Sequence, residues 1–182
     1  MPIALDGRRK GTSDIYAKTY ADGSKSRVGL LAVNKEIYGE TIQMFYAHTI
    51  KLESTTTLLD FLGTLGNSIK PFLRSVEIKN YIKTTSRNSM HFLAEAKNIQ
   101  QLHIDNGVYS EGDPPKAAKM FYQDAYKFLE AVGNAKGDKQ AAVDVLSFGK
   151  GAFKWKDDKK TEKPWADSLV EEFKEDLKAK LK

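Results

Sequence analysis

No cysteine occurs among the 182 residues, and histidine occurs only three times. A chain without cysteine has no disulfide bonds, thiolate nucleophiles, zinc–thiolate sites or iron–sulfur clusters. The three histidines, His48, His91 and His103, do not have a metal-binding spacing such as His-x-x-x-His. No glycine-rich phosphate loop with a Lys-Ser/Thr pair opens a helix. We therefore predict that the protein is not an enzyme and has no catalytic residues, metal site or cofactor.

Long apolar runs are also missing. No stretch approaches the roughly 20 apolar residues that a membrane-spanning helix needs, and the opening MPIALDGRRKG has no apolar run after its charges. The excess of positive charge is small, with 29 Lys and Arg against 24 Asp and Glu and a net charge of +5, so it is only a weak indication of an anionic partner. We expect no membrane partner and an intracellular location, cytoplasmic or nuclear.

Three tetrads form the most regular feature of the chain: IKLE at 50–53, VEIK at 76–79 and LHID at 102–105. Each begins 26 residues after the one before, since 76 − 50 equals 102 − 76. Apolar residues alternate with charged residues or histidine, which is typical of a half-buried strand. Helical spacing of apolar residues follows the first tetrad, so strand and helix alternate. This period lies within the roughly 20 to 29 residues of leucine-rich repeats, and it predicts a parallel sheet with right-handed crossovers.

The chain is predicted to form one domain, because 182 residues with 41% hydrophobic content suffice for one core. Residues 1–27, rich in Gly, Ser, Lys and Arg, are interpreted as a flexible or partly docked basic arm. Residues 28–182 are interpreted as a single α/β domain, a short leucine-rich-repeat-like stack with a parallel sheet, flanked by N- and C-terminal helices. The predicted strands lie near 49–53, 75–79, 101–105 and 143–148, and a helix at 164–181 caps the stack.

The segment SRVGLLAVNKEIYGETIQMFYAHTIKL resembles the signature of a large group of fungal F-box-like proteins, over about residues 26–105. The shared theme is a Leu-Leu pair, a polar gap with a basic residue, Ile-Tyr, an acidic residue and an aromatic pair leading into a strand. The corresponding residues are Leu30, Leu31, Lys35, Ile37, Tyr38, Glu40, Phe45, Tyr46, Ile50 and Leu52. The F-box itself, which opens with a Leu-Pro pair, is not found, since MPIALDG has only the proline. The resemblance implies a substrate-receptor-like role, and an F-box would imply recruitment to a cullin ubiquitin ligase.

The alternation within the tetrads also predicts which residues bind a protein partner. In a parallel sheet, the residues between the apolar ones line up on the opposite face. One row then contains Lys51, Glu77, His103 and Asp144, and the other contains Glu53, Lys79 and Asp105. Alternating signs along both rows are expected of cross-strand pairs that stabilise an exposed sheet, and equally of a mixed-charge surface that binds a partner. The two interpretations are compatible. His103, with Asp105, Asp144 and Glu77 nearby, is the one arrangement that resembles acid–base chemistry.

Nucleic-acid binding is the alternative function. Basic and aromatic side chains together can contact phosphates and stack on bases, and two parts of the chain have this composition. The predicted nucleic-acid-binding residues are Arg8, Arg9 and Lys10 in the arm, and Lys154, Trp155 and Lys156 in a lysine-rich segment that also contains Lys150, Phe153, Lys159 and Lys160. A solvated lysine-rich loop with its aromatic side chains packed on the core would have the same composition.

Overall fold

A computed structural model describes residues 3–4, 35–156 and 161–181. Within these ranges the sheet has six strands in the order β1 to β6. Strands β1 to β5 run parallel to one another, and β6 is antiparallel to β5. The strands are β1 (Ile3–Ala4), β2 (Thr49–Ser54), β3 (Ser75–Asn80), β4 (Gln101–Tyr109), β5 (Leu146–Lys156) and β6 (Glu162–Pro164). The helices are α1 (Lys35–Tyr46), α2 (Thr55–Thr64), α3 (Lys83–Leu93), α4 (Pro114–Lys136), α5 (Ala141–Asp144) and α6 (Asp167–Ala179). The predicted α/β class, with a parallel sheet and flanking helices, is confirmed.

The three tetrads occupy equivalent places in β2, β3 and β4. Ile50 pairs with Val76, and Val76 pairs with Leu102. Each pairing therefore joins residues 26 apart (76 − 50 and 102 − 76). The leucine-rich-repeat-like description stays a prediction, because a common register in three strands does not define that family.

Helices α2, α3, α4 and α6 form one layer against one face of the sheet. Right-handed crossovers between successive neighbouring strands place every connecting helix on the same face, and α2, α3, α4 and α6 pack side by side in that order. Strands β2, β3 and β4 present to this layer six fully buried side chains: Ile50, Leu52, Val76, Ile78, Leu102 and Ile104. The core therefore lies between the helix layer and one face of the sheet, and the charged residues of the tetrads lie on the other face.

Local sequence signals mark the start of α2 and both ends of α4. The Ser54 hydroxyl accepts a hydrogen bond from the Thr57 amide at 3.3 Å, which caps the first turn of α2. Asp113 caps α4 in the same way through the Lys116 amide at 3.0 Å, and prolines occupy the first turn, where no amide is needed. Gly137 ends α4 in the left-handed conformation, with φ of 74°. No helix of the described part is long and apolar enough to cross a membrane.

The predicted phase of the fourth strand is wrong. Residues 141–144 form the single turn α5, in which the Val143 amide donates to the Gln140 carbonyl at 2.9 Å. Strand β5 begins at Leu146, which pairs with Leu102. Asp144 therefore does not lie in a row with His103; its carboxylate contacts Lys178 on α6 at 3.4 Å. The physical reason is that a triplet such as Val-Asp-Val is too short to distinguish a strand from a helical turn that buries both valines.

Other parts of the predicted organisation lie partly outside the described residues. Of the predicted basic arm, 1–27, only Ile3 and Ala4 are described, as the edge strand β1 paired with Ile50 and Lys51. Helix α6 lies within the predicted capping segment 164–181. The hairpin of β5 and β6, which extends the sheet beyond the tetrads, has no counterpart in the predicted organisation.

Two asparagines, Asn80 at the end of β3 and Asn106 within β4, tie neighbouring strands together. Asn80 Nδ2 donates to the Glu53 carbonyl and Asn106 Nδ2 donates to the Lys79 carbonyl, both at 3.1 Å. These carbonyls belong to the preceding strand, so each amide ties its own strand to the neighbour. Gly151 of β5 lies directly against the side chain of Asn106. The same type of hydrogen bond thus joins β2 to β3 and β3 to β4, and the missing side chain at Gly151 leaves room for Asn106.

The Asp124 carboxylate joins Tyr81, the residue directly after β3, to the helix layer. Asp124 of α4 accepts hydrogen bonds from the Tyr81 and Ser86 hydroxyls, both at 2.9 Å. Burial of the phenol, together with the nearby Asp124 charge, raises the pKa of Tyr81 well above its usual value of 10.0. The protonated phenol is the form that the folded protein stabilises, because only this form donates to the carboxylate.

The free energy of unfolding is therefore expected to fall as pH rises above about 10. In that range unfolded Tyr81 loses its proton while folded Tyr81 keeps it, so unfolding releases a proton. Urea unfolding of the native chain and of Tyr81→Phe between pH 8 and 11 tests this expectation. The Tyr81→Phe variant should lose part of the decline and Tyr122→Phe should keep it; equal slopes for all three proteins would contradict the assignment.

Candidate functional site

The candidate site is the polar face of the sheet, on the side opposite the helix layer. Alternation along each strand directs its polar side chains to this face, and parallel pairing aligns them across strands. Lys51 pairs in register with Glu77, Glu77 with His103, and His103 with Ser147. Exposure of the charged and histidine side chains ranges from 16% for Glu77 to 43% for Lys79. These side chains are neither buried nor fully solvated.

Opposite charges meet across neighbouring strands, as the alternation predicts. Lys51 Nζ lies 2.9 Å from Glu77 Oε2, and Lys79 Nζ lies 3.5 Å from Glu53 Oε1. Partly exposed pairs of this kind contribute about 0.2 to 1 kcal/mol each. Their contribution to stability is therefore small, and their clearer effect is to hold four charged groups at fixed positions.

His103 bridges two other residues of the same face. Its Nε2 lies 3.0 Å from Asp105 Oδ1 on the same strand, and its Nδ1 lies 2.9 Å from Ser147 Oγ on β5. An ionised carboxylate only accepts hydrogen bonds, so a neutral His103 carries its proton on Nε2. Its Nδ1 then accepts from the Ser147 hydroxyl. The two partners thus fix both the orientation and the tautomer of the ring.

Ser147, His103 and Asp105 have the connectivity of a nucleophile, a base and an orienting acid. Hydrolysis also requires N–H donors aimed at the oxyanion of the transition state. The pairing of β4 with β5, in which Leu102 donates to the Val145 carbonyl, directs the Ser147 amide toward β4. Strand amides lie in the plane of the sheet, whereas Ser147 Oγ projects from its face. Strands β4 and β5 therefore direct no backbone N–H donor toward an oxyanion beside the Ser147 hydroxyl.

Ser147 is the residue of this face that the sequence prediction missed. The sequence prediction placed Asp144 next to His103 in the row that Ser147 occupies. Asp144 instead lies on α5 and contacts Lys178 of α6. The sequence signal for Ser147 is the apolar–polar–apolar triplet Leu146-Ser147-Phe148, but Val143-Asp144-Val145 has the same pattern. The other predicted partner-binding residues lie on the polar face: Lys51, Glu53, Glu77, Lys79, His103 and Asp105.

The predicted nucleic-acid-binding residues are only partly described. Arg8, Arg9 and Lys10, and the side chain of Lys156, lie outside the described residues. Trp155 is 37% exposed, with Lys163 Nζ 5.8 Å from the centre of its ring, and Lys154 forms an ion pair with Glu162 at 3.4 Å. Phe153 is buried and stacks on Trp165 at 4.7 Å. Of the two aromatic residues in this segment, only Trp155 is placed where a base could stack.

Comparison with known proteins gives no similar chain: no family model, no curated protein and no solved structure matches. The resemblance to F-box-like proteins stays a prediction. The fold defines a protein of the α/β class with helices on one face of a mostly parallel sheet, and its function must be argued from the polar face itself.

Proposed function

We propose that this protein is a non-catalytic protein-recognition module that binds a partner through the polar face of its sheet. The observation that supports this function most is the separation of the two faces. In the described part of the chain, the helices pack on the apolar face, and the other face carries alternating charges on three successive strands.

The partner that fits this face is a polypeptide segment carrying both signs of charge. Glu53 and Asp105 offer acceptors to Lys or Arg of the partner, and Lys79, the most exposed of the charges at 43%, offers a donor to a carboxylate. Because neighbouring strands already hold these groups in place, binding loses less side-chain entropy than it would with free surface charges. A mixed-charge face also disfavours partners of the wrong charge pattern.

Exchanging the two charges of one pair is expected to weaken capture of the partner at least roughly tenfold while keeping the fold. In Glu53→Lys/Lys79→Glu the cross-strand ion pair is kept with its polarity reversed, so the free energy of unfolding should change by about 1 kcal/mol or less. The partner would meet the reversed pattern and bind at least roughly tenfold more weakly. The measurement is capture from cell extract on the immobilised native and exchanged chains, with identification by mass spectrometry.

The control variant is Glu171→Lys/Lys174→Glu, which makes the same exchange in an ion pair of 3.1 Å on α6. It should capture the same protein as the native chain. If the sheet variant also captures that protein at native strength, the charges of this face serve stability alone. Ligase subunits captured with the partner would support the substrate-receptor role that the F-box-like resemblance implies.

Nucleic-acid binding through Trp155 stays a prediction, since no contact in the described segment favours it over a solvated hairpin.

A further inference from the structure

Two cavities adjoin each other at the end of the sheet where β3 and β4 begin. The smaller has a volume of about 330 Å³ and the larger about 620 Å³. Lys97 and Ala135 line both of them, so the two cavities are continuous along one groove. Both cavities are open to solvent, and their volumes suffice for a small ligand. This groove is separate from the polar face of the sheet.

The smaller cavity has a strongly cationic lining. Arg74, Lys97 and Lys136 line it, and no Asp or Glu is among its described lining residues. Lys97 and Lys136 have no ion-pair partner within the described ranges, in contrast to the paired lysines 51, 70, 79, 116, 154, 174 and 178. Lys136 belongs to the last turn of α4, whose C-terminal dipole carries only about −0.5 charge. Three full positive charges exceed this, so the cavity favours an anion.

Arg74 is already oriented within this cavity. Its Nη1 donates to the Pro71 carbonyl at 3.0 Å and to the Asn98 carbonyl at 3.3 Å. A guanidinium has five N–H groups, so others remain to donate to a ligand. Because the side chain is held before the ligand arrives, little rotamer entropy is lost on binding. A planar donor flanked by two ammonium groups is suited to phosphate, which accepts several hydrogen bonds at once.

The larger cavity is much less charged. Pro71, Ala94, Ala131 and Ala135 contribute apolar surface to it. Its one carboxylate among the described lining residues, Glu95, is neutralised by Lys70, whose Nζ lies 2.7 Å away and whose side chain is only 3% exposed. A ligand whose anionic group lies in the smaller cavity could therefore place an apolar substituent in the larger one.

We propose that the groove binds a small organic phosphate, with the phosphate between Arg74, Lys97 and Lys136 and an apolar substituent against Pro71 and the alanines. Such a ligand neutralises three cations that otherwise repel one another, so it stabilises the folded chain in proportion to its occupancy. Binding weakens as salt concentration rises, because the contacts are between charges near the surface.

The test is calorimetric titration of the full chain with inorganic phosphate and with phenyl phosphate. We expect saturable binding at one site, with phenyl phosphate binding roughly tenfold tighter because its ring covers apolar surface of the larger cavity. Lys97→Gln and Lys136→Gln should each weaken binding about tenfold, the usual effect of losing one charge-assisted contact. The matched control is Lys119→Gln, an exposed lysine of the same helix about 25 Å from Lys136, which should change binding less than about twofold.

A fourth variant tests the apolar part of the groove. Ala131→Leu fills part of the larger cavity without changing any charge, so it should weaken binding of phenyl phosphate and leave that of inorganic phosphate unchanged. Three results would overturn the proposal: no saturable binding to the native chain, equal weakening by Lys119→Gln and the two cavity variants, or phenyl phosphate binding no tighter than inorganic phosphate.

Discussion

Replacing Phe173 by alanine is expected to destabilise the protein by about 3 to 5 kcal/mol. Phe173 of α6 is fully buried, and its ring centre lies 4.8 Å from that of Phe153, 5.6 Å from that of Phe148 and 5.9 Å from that of Phe121. These partners belong to β5 and α4, so one side chain joins the last helix to both layers. Loss of the ring removes buried apolar area, two edge-to-face contacts and the close packing around them.

Urea unfolding followed by circular dichroism measures this effect. The matched control is Phe92→Ala on α3, because that ring is 40% exposed and its described partner is the Lys70 ammonium, 5.3 Å from the ring centre. It should cost about 1 kcal/mol or less. Similar losses in the two variants would mean that α6 is not packed on the core as described.

Replacing Gly151 by alanine is expected to cost about 2 to 4 kcal/mol, although the change adds only one methyl group. A Cβ at this position would overlap Asn106 Oδ1, and would lie 2.8 Å from Asn106 Cγ and 3.1 Å from the Asp105 carbonyl oxygen. Asn106 would have to move, which breaks its hydrogen bond to the Lys79 carbonyl. The expected cost combines overpacking with a lost hydrogen bond between β4 and β3.

The control for this variant is Gly63→Ala in the exposed part of α2, where nothing lies within 4 Å of an added Cβ. Alanine is the better helix former, so this variant should gain about 0.5 to 1 kcal/mol. The same urea titration compares both. A neutral Gly151→Ala would show that Asn106 can move aside without losing its hydrogen bond to the Lys79 carbonyl.

Short-range alternation explains why part of this fold is predictable. The tetrads are long enough to fix both the strand and the face of each residue, so Lys51 opposite Glu77 follows from their spacing. The start of β5 is not predictable in this way, because Val143-Asp144-Val145 and Leu146-Ser147-Phe148 have the same pattern and only packing distinguishes them. Ser147 beside His103 could not be identified without that choice.

The cationic groove could not be predicted from any motif. Arg74 precedes β3, Lys97 follows α3 and Lys136 ends α4, so only the stacking of successive units brings them to one cavity. The same holds for Asp124, which meets Tyr81 and Ser86 across three elements. Contacts of this kind depend on tertiary packing, which local sequence patterns do not encode.

The most direct test of the proposed recognition surface is a double-mutant cycle on Glu53 and Lys79 with the captured partner. The native chain, both single charge reversals and the double exchange are compared for free energy of unfolding and for affinity. Each single reversal should lower both quantities, since it places like charges opposite each other on neighbouring strands. The account predicts that the double exchange recovers the stability and not the affinity. Recovery of both would show that the charges act on each other alone, and would contradict recognition through this face.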